Sequence, residues 1–147
     1  DVVMVLMGTN DYNSRYTTTD TFETAMAVPY ASLDLSKVME AMRSGLYRIN
    51  ENFRDSFKIL CLPTQRVVYA GDSSNDYGSG LRDEMIKMAG KYGFTVIDSY
   101  SESGIVSDFE IDGSDGVYLG DGLHPNATGK KLLGDFYKRK VNNFIDL

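Results

Sequence analysis

Apolar runs bounded by turn-forming residues recur along the chain and predict buried β-strands. Three runs are clear, at residues 2–7, 57–62 and 94–97, and a shorter, weaker run lies at residues 67–70. These runs show little alternation of apolar and polar residues, which is typical of strands covered on both faces. The pattern therefore favours a parallel sheet.

Stretches with helical periodicity separate the apolar runs. Apolar residues at steps of three and four predict a helix over residues 35–53, with Asp34 as its N-cap. A second helix is predicted at residues 81–92, and Gly93 is placed to end it in a left-handed cap. Another apolar stripe, at residues 132–144, predicts a third helix. This alternation of strand and helix predicts the α/β class.

Length and composition indicate how many domains the chain forms and which partners are disfavoured. One domain is predicted over residues 1–147, since a chain of this length can bury a sizeable core. Within it, the polar residues 71–80 are predicted to form a loop, and the single cysteine, Cys61, to be a small buried hydrophobe.

A formal net charge of -6 disfavours nucleic acids and acidic membrane surfaces as partners. No run approaches the roughly 18 apolar residues that cross a bilayer.

The first strand leads into Gly8-Thr9-Asn10-Asp11. Ligands of open parallel sheets bind beyond the carboxyl ends of the strands, where this segment is expected to lie. The glycine allows a sharp turn, and the amide of Asn10 can donate a hydrogen bond to an oxyanion. The simpler interpretation is that Asn10 and Asp11 are turn formers.

The only histidine, His124, follows Asp121 by three residues. In a tight loop the Asp121 carboxylate can accept a hydrogen bond from the imidazole Nδ1, which leaves Nε2 free as a general base. Pro125 comes next and biases His124 toward an extended conformation. The alternative is an ordinary turn that carries a surface histidine.

A candidate nucleophile is Ser73, which follows Gly71 and Asp72 after the weak fourth strand. A serine at a strand-to-glycine turn can be a nucleophile in hydrolases. The composition of the surrounding segment favours a polar loop instead.

Together, Gly8-Thr9-Asn10-Asp11 and Asp121-Gly122-Leu123-His124-Pro125-Asn126, with the strands and helices between them, resemble the SGNH, or GDSL-type, hydrolases. The resemblance implies a flavodoxin-like three-layer sandwich with a parallel sheet. It also implies that Asn10 is an oxyanion-hole donor, that His124 is the general base and that Asp121 orients it. Members of the family cleave esters through a serine nucleophile and an acyl-enzyme intermediate, without a metal or other cofactor.

The chain departs from the family pattern at its start. The family's nucleophilic serine lies in a Gly-Asp-Ser motif after the first strand, and a glycine donor follows before the Asn motif. Here the first strand corresponds to the family's third, so we expect a C-terminal portion that lacks the first strands and the nucleophile, and that is inactive alone. We do not expect Ser73 to replace the missing serine. The edge of residues 2–7 is expected to be covered by an N-terminal segment or another copy of the chain.

The leading hypothesis is a serine ester hydrolase that acts on acyl or acetyl groups of lipids, carbohydrates or small molecules. The alternative is a catalytically incomplete remnant or a carbohydrate-binding module on the same scaffold, since 10 tyrosines could stack on sugars. A metal site formed by Asp11, Asp121 and His124 is a weaker hypothesis, because the chain has one histidine and no spaced ligand pair.

Overall fold

A three-stranded sheet is present in a computed structural model of the chain. β1 (Val2–Leu6), β2 (Phe57–Cys61) and β3 (Thr95–Ile97) lie side by side in that order. β1 and β2 are parallel, and Met4 pairs with Ile59 at the middle of the register. The predicted parallel sheet and the α/β class are confirmed.

Helices follow each strand. The structure describes residues 1–9, 17, 19–67, 75–111 and 113–144. The helices are α1 (Phe22–Ala27), α2 (Val38–Asn52), α3 (Asn75–Lys91), α4 (Ser99–Glu102) and α5 (Ala127–Phe144), with single 3-10 turns at Tyr30–Ser32 and Ser107–Phe109. In the described ranges no helix is long and apolar enough to cross a membrane.

The chain divides into two compact units. Unit 1 comprises Asp1–Leu62 and Asn75–Val96, and unit 2 comprises Pro63–Ser74 and Ile97–Leu147. Compactness alone does not decide how many parts fold independently, so the single domain over residues 1–147 stays a prediction.

The core of unit 1 is built on β2. Ile59, Leu60 and Cys61 are fully buried, as are Met39 and Leu46 of α2. Burial raises the pKa of the Cys61 thiol to about 12. The thiol is therefore un-ionised at neutral pH, and the interpretation of Cys61 as a small buried hydrophobe is confirmed.

The start of α2 differs from its prediction. The helix begins at Val38, three residues later than expected, and its N-cap position is Lys37, which makes no side-chain cap. Asp34 instead accepts hydrogen bonds from the backbone N–H and the hydroxyl of Ser36, at 3.0 and 2.7 Å. Asp20, from far upstream, accepts from the N–H of Met39 at 3.1 Å. The prediction that Asp34 is the N-cap was wrong, because the buried carboxylate of Asp20, distant in sequence, accepts the hydrogen bond from the first turn of the helix.

The start of α3 also differs. The helix begins at Asn75, so the prediction of a loop over residues 71–80 was wrong for residues 75–80. Two glycines and several short polar residues in this stretch have low helix propensity, so the sequence predicted a loop there and not a helix. The end of α3 was predicted correctly, since Gly93 follows it with a φ of +72°.

Alternate side chains of β1 are exposed to solvent. Val2, Met4 and Leu6 are 45, 45 and 62% exposed, respectively. β1 is also the terminal strand of the sheet in the described part of the chain. The partner expected at this strand, an N-terminal segment or another copy, stays a prediction.

Candidate active site

Two of the three predicted site residues lie in the described part of the chain. Asp121 and His124 are in unit 2, in the loop that leads into α5. Asn10, the predicted oxyanion donor, lies outside the described residues, as do Asp11 and the alternative nucleophile Ser73.

Asp121 and His124 form the pair that their spacing predicted. The Oδ2 atom of Asp121 lies 2.7 Å from Nδ1 of His124. The other carboxylate oxygen, Oδ1, accepts from the backbone N–H groups of Leu123 and His124, at 2.9 and 2.6 Å. One carboxylate therefore fixes both the loop backbone and the ring. The imidazole side chain is 69% exposed.

Gly122 lets the loop turn between the two side chains. Its φ is +78°, a conformation that residues with a Cβ rarely adopt. A Cβ at this position would also lie 3.0 Å from the carbonyl oxygen of Ile111 and 3.1 Å from Cβ of Val67. The N–H of Val67 also donates a hydrogen bond to the carbonyl of Gly122 at 2.8 Å. Glycine is thus required both for the turn and for the close packing.

Short backbone contacts close the loop on itself. Leu119 and Pro125 form an antiparallel bridge, and the N–H of Gly120 donates to the carbonyl of His124 at 2.8 Å. The N–H of Gly113 donates to the carbonyl of Asp121 at 3.2 Å. These bonds hold the backbone on both sides of the pair, which limits the positions available to the imidazole.

A buried carboxylate, Glu110, supports the segment before the loop. Its Oε1 and Oε2 accept from the N–H of Tyr118 at 3.0 and 3.1 Å, and Oε2 also accepts from the N–H of Leu119 at 2.8 Å. Sequence reasoning missed this residue. Its neighbours Phe109 and Ile111 are exposed while Glu110 is buried, the reverse of what polarity alone would predict.

The junction with α5 is fixed by Asn126. Its side-chain oxygen accepts from the N–H of Gly129 at 3.0 Å, a bond typical of an N-cap residue. Its own N–H donates to the carbonyl of Tyr118 at 2.9 Å. Gly129 is buried, and a Cβ there would overlap that same carbonyl oxygen. The loop that carries His124 is therefore packed directly on the first turn of the helix.

The hydrogen bonds to Asp121 lower its pKa to about 2, from an ordinary value of 3.8. The side chain of His124 is the largest cause, and the backbone N–H groups of His124 and Leu123 come next. Because the pKa is lower in the folded state, the ionised carboxylate stabilises the fold. That contribution is complete above about pH 3.8 and is lost as the pH falls through about 2.

This order of causes makes a testable prediction. We expect the carboxyl ¹³C resonance of Asp121 to titrate with a midpoint near pH 2, and the midpoint to rise toward 3.8 in His124→Ala. The bonds from the two backbone N–H groups remain, so it should stay below 3.8. Asp135, whose pKa is lowered chiefly by Lys131, is the control and should not change. An unchanged Asp121 midpoint in the variant would contradict the assignment of His124 as the main cause.

No three side chains from His, Cys, Asp and Glu come close enough to hold a metal ion, as far as the described residues go. The expectation that the site uses neither a metal nor another cofactor stays a prediction.

The chain is of the α/β class and carries a carboxylate–imidazole pair on an exposed loop. The sequence model of one family, described as GDSL-like lipase/acylhydrolase, matches residues 1–136. The chain therefore belongs to that family, and the resemblance drawn from its motifs is confirmed. No curated protein matches the sequence significantly.

Solved structures share the fold. A protein from Lactobacillus plantarum is 18% identical, with a TM-score of 0.71, over 99% of this chain and 68% of that one. A protein from Parabacteroides merdae ATCC 43184, described as a candidate GDSL-like lipase, is 15% identical, with a TM-score of 0.60, over 94% of this chain and 58% of that one. The chain thus spans 58 to 68% of the length of these two structures. At these identities the likeness concerns the fold alone.

Proposed function

We propose that this protein hydrolyses carboxylic esters, with His124 as the general base and Asp121 as the residue that orients it. The observation that carries the proposal is the 2.7 Å contact between Asp121 Oδ2 and His124 Nδ1 on an exposed loop. The family's description, lipase/acylhydrolase, implies ester substrates. We propose esters that carry acyl or acetyl groups on a lipid, a carbohydrate or a small molecule.

The contact determines which imidazole nitrogen can act as a base. An ionised carboxylate only accepts hydrogen bonds, and Asp121 is ionised at any pH well above about 2. Nδ1 of His124 must therefore carry the proton in the neutral ring. Nε2 is then left with a lone pair, and it is on the side of the ring away from Asp121. The pair is arranged to take a proton from a hydroxyl group at Nε2.

The reaction then follows in two halves. Nε2 of His124 removes the proton of a serine hydroxyl as the oxygen attacks the ester carbonyl, and the protonated imidazole gives that proton to the departing alcohol. Water attacks the resulting acyl-enzyme by the same route, and the carboxylic acid is released. The serine is the one that the family resemblance implies, and we assign it to no residue of this chain.

Asn10 is proposed to stabilise the tetrahedral intermediate. A side-chain amide placed where negative charge develops on the carbonyl oxygen can lower the barrier by several kcal/mol, on the order of 3. The support comes from position, because Asn10 follows β1 by four residues and Gly8, with a φ of +97°, turns the backbone there.

Replacing Asp121 by asparagine tests the orienting role. We expect kcat/KM for p-nitrophenyl acetate to fall by about a hundredfold, because the amide can stabilise the wrong tautomer of His124. A buried triad carboxylate costs more when replaced, but the Asp121 side chain is 48% exposed and water can substitute for part of its effect. The measurement is steady-state kinetics of the protein as its gene encodes it.

The matched control is Asp135→Asn. Asp135 is 54% exposed and paired with Lys131 on α5, away from the loop, so its replacement should leave kcat/KM unchanged. An Asp121→Asn variant as active as this control would remove Asp121 from the mechanism.

A further inference from the structure

Glu110 is a buried acidic residue of unit 2, the unit that also contains Asp121 and His124. It follows the 3-10 turn with an extended backbone, φ -103° and ψ 160°. Successive side chains of an extended chain point in opposite directions, so an inward Glu110 leaves Phe109 and Ile111 pointing outward. These two large apolar side chains are indeed exposed. Burial of apolar surface therefore does not explain why the carboxylate lies inside.

The hydrogen bonds of the carboxylate explain its position. The N–H of Tyr118 donates to Oε1 and Oε2 at 3.0 and 3.1 Å, and the N–H of Leu119 donates to Oε2 at 2.8 Å. Hydrogen bonds to a carboxylate are stronger than those between neutral groups. Glu110 therefore holds two successive residues of the segment 118–120, which leads into the loop of the Asp121–His124 pair.

The segment 118–120 is bonded in turn to the residues around His124. Leu119 and Pro125 form an antiparallel bridge, the N–H of Gly120 donates to the carbonyl of His124 at 2.8 Å, and the N–H of Asn126 donates to the carbonyl of Tyr118 at 2.9 Å. A shift of the segment would therefore carry the backbone of His124 with it.

Gly116 closes the turn tightly around the carboxylate. Its N–H donates to the carbonyl of Leu119 at 2.8 Å. A Cβ at position 116 would overlap Oε2 of Glu110 and would lie 2.9 Å from its Cα. The backbone thus approaches the acid as closely as only a glycine allows, which leaves the carboxylate and the segment little room to shift.

The two carboxylates act on different parts of the same histidine. Asp121 contacts the imidazole, with 2.7 Å between Oδ2 and Nδ1, whereas Glu110 is bonded to backbone that is itself bonded to His124. We propose that Glu110 is a positioning residue: it sets where the backbone of His124 lies, and through it where the imidazole meets the reacting atoms. The proposal rests on the proposed hydrolase function and adds a residue that acts through the loop.

A displaced base lowers the rate of reaction more than it weakens binding. Misplacement of a reacting group by about 1 Å can cost about a hundredfold in rate. The ester is not expected to contact Glu110, because the carboxylate is buried and both its oxygens accept from backbone N–H groups. Loss of Glu110 should therefore appear in kcat and not in KM.

Glu110→Ala tests this in the protein as its gene encodes it. We expect kcat for p-nitrophenyl acetate to fall by about a hundredfold, and KM to stay within about twofold. The rate is taken per folded molecule, with the folded fraction measured by circular dichroism, so a merely structural role would not move it. A kcat within about twofold of the unmodified protein, or a loss that lies wholly in KM, would overturn the proposal.

The conservative variant Glu110→Gln should recover most of the rate. Its amide oxygen can take the place of Oε2 and accept from the N–H groups of both Tyr118 and Leu119. We expect its kcat to lie within about tenfold of the unmodified protein. If Glu110→Ala does not fold, Glu110→Asp replaces it, because a side chain one methylene shorter cannot reach both N–H groups. A Glu110→Asp variant as active as Glu110→Gln would contradict the proposal.

The matched control is Glu84→Ala. Glu84 has the same exposure as Glu110, 9%, and accepts from the N–H of Phe22 at the start of α1 in unit 1. Its replacement should lower the stability and leave kcat per folded molecule unchanged. An equal loss of kcat in Glu84→Ala and Glu110→Ala would show that removal of any buried carboxylate suffices, and would refute a specific role for Glu110.

Amide hydrogen exchange tests the hold on the loop without any chemistry. The amides of Gly120 and Asn126 make the bonds between the two segments, and we expect them to exchange at least about tenfold faster in Glu110→Ala. The amide of Phe94, which donates to the carbonyl of Ala89 in unit 1, is the internal control and should not change. Unchanged exchange at Gly120 and Asn126 would overturn the proposal.

The two proposals can fail separately. Faster exchange in Glu110→Ala, in a protein without esterase activity, would reject the hydrolase and leave the hold of Glu110 on the loop. Activity that His124→Ala abolishes and Glu110→Ala leaves unchanged would reject the positioning role and leave the hydrolase.

Discussion

Replacing His124 by alanine should lower kcat/KM for p-nitrophenyl acetate by about 10⁴-fold in the protein as its gene encodes it. His124 is the only histidine of this chain, so no other residue of the chain offers an imidazole to take the proton of the attacking hydroxyl. The loss should appear mainly in kcat, because the imidazole acts on the reacting atoms and not on the bound acyl group.

The fold of this variant should be intact. The His124 side chain is 69% exposed, and its truncation removes one side-chain hydrogen bond while the backbone bonds to Asp121 remain. Free imidazole added to His124→Ala should restore part of the rate, since a diffusible base can fill the space of the missing ring. Full activity in the untreated variant would refute His124 as the base.

The largest effect on stability is expected from Gly129→Ala. A Cβ at this position would overlap the carbonyl oxygen of Tyr118, a backbone atom that cannot move without displacing the loop before His124. We expect a loss of at least about 3 kcal/mol in the free energy of unfolding, at the upper end of what overpacking costs. Urea denaturation followed by circular dichroism measures it.

Gly134→Ala is the matched control in the same helix. Gly134 is exposed, and a Cβ there meets nothing within 4 Å. The same substitution should therefore stabilise the protein by about 0.5 to 1 kcal/mol, because alanine favours helix more than glycine does. Similar stability changes in the two variants would show that the contact with Tyr118 is not what decides the cost.

The parts of the fold that were predictable from sequence depend on local patterns. The strands appeared as apolar runs, and the long helices as apolar stripes with a period that no other element produces. The Asp121–His124 pair was predictable for the same reason, since three residues of a tight loop bring the two side chains within hydrogen-bonding distance. Gly93 ended its helix as predicted because a left-handed cap is a local property.

The parts that were missed depend on residues distant in sequence. Asp34 looked like the N-cap of α2, but Asp20 accepts from the helix N–H of Met39 across 19 residues of chain. Nothing in the sequence indicated the role of Glu110, whose buried carboxylate accepts hydrogen bonds from the backbone N–H groups of Tyr118 and Leu119. The hydrogen-bond partners of Asp20 and Glu110 cannot be predicted from their spacing in the sequence, because tertiary packing brings them together.

The contact between Gly122 and Val67 links the turn between Asp121 and His124 to an apolar residue that is distant in sequence. Val67 has no polar side chain and carries no chemistry, yet its methyl carbon lies 3.1 Å from where a Cβ of residue 122 would be. A bulkier residue at position 67 would push on the turn that separates Asp121 from His124. In directed evolution, position 67 should therefore emerge among the sites that alter the rate. Natural sequences should restrict its side-chain volume wherever the glycine at 122 is kept.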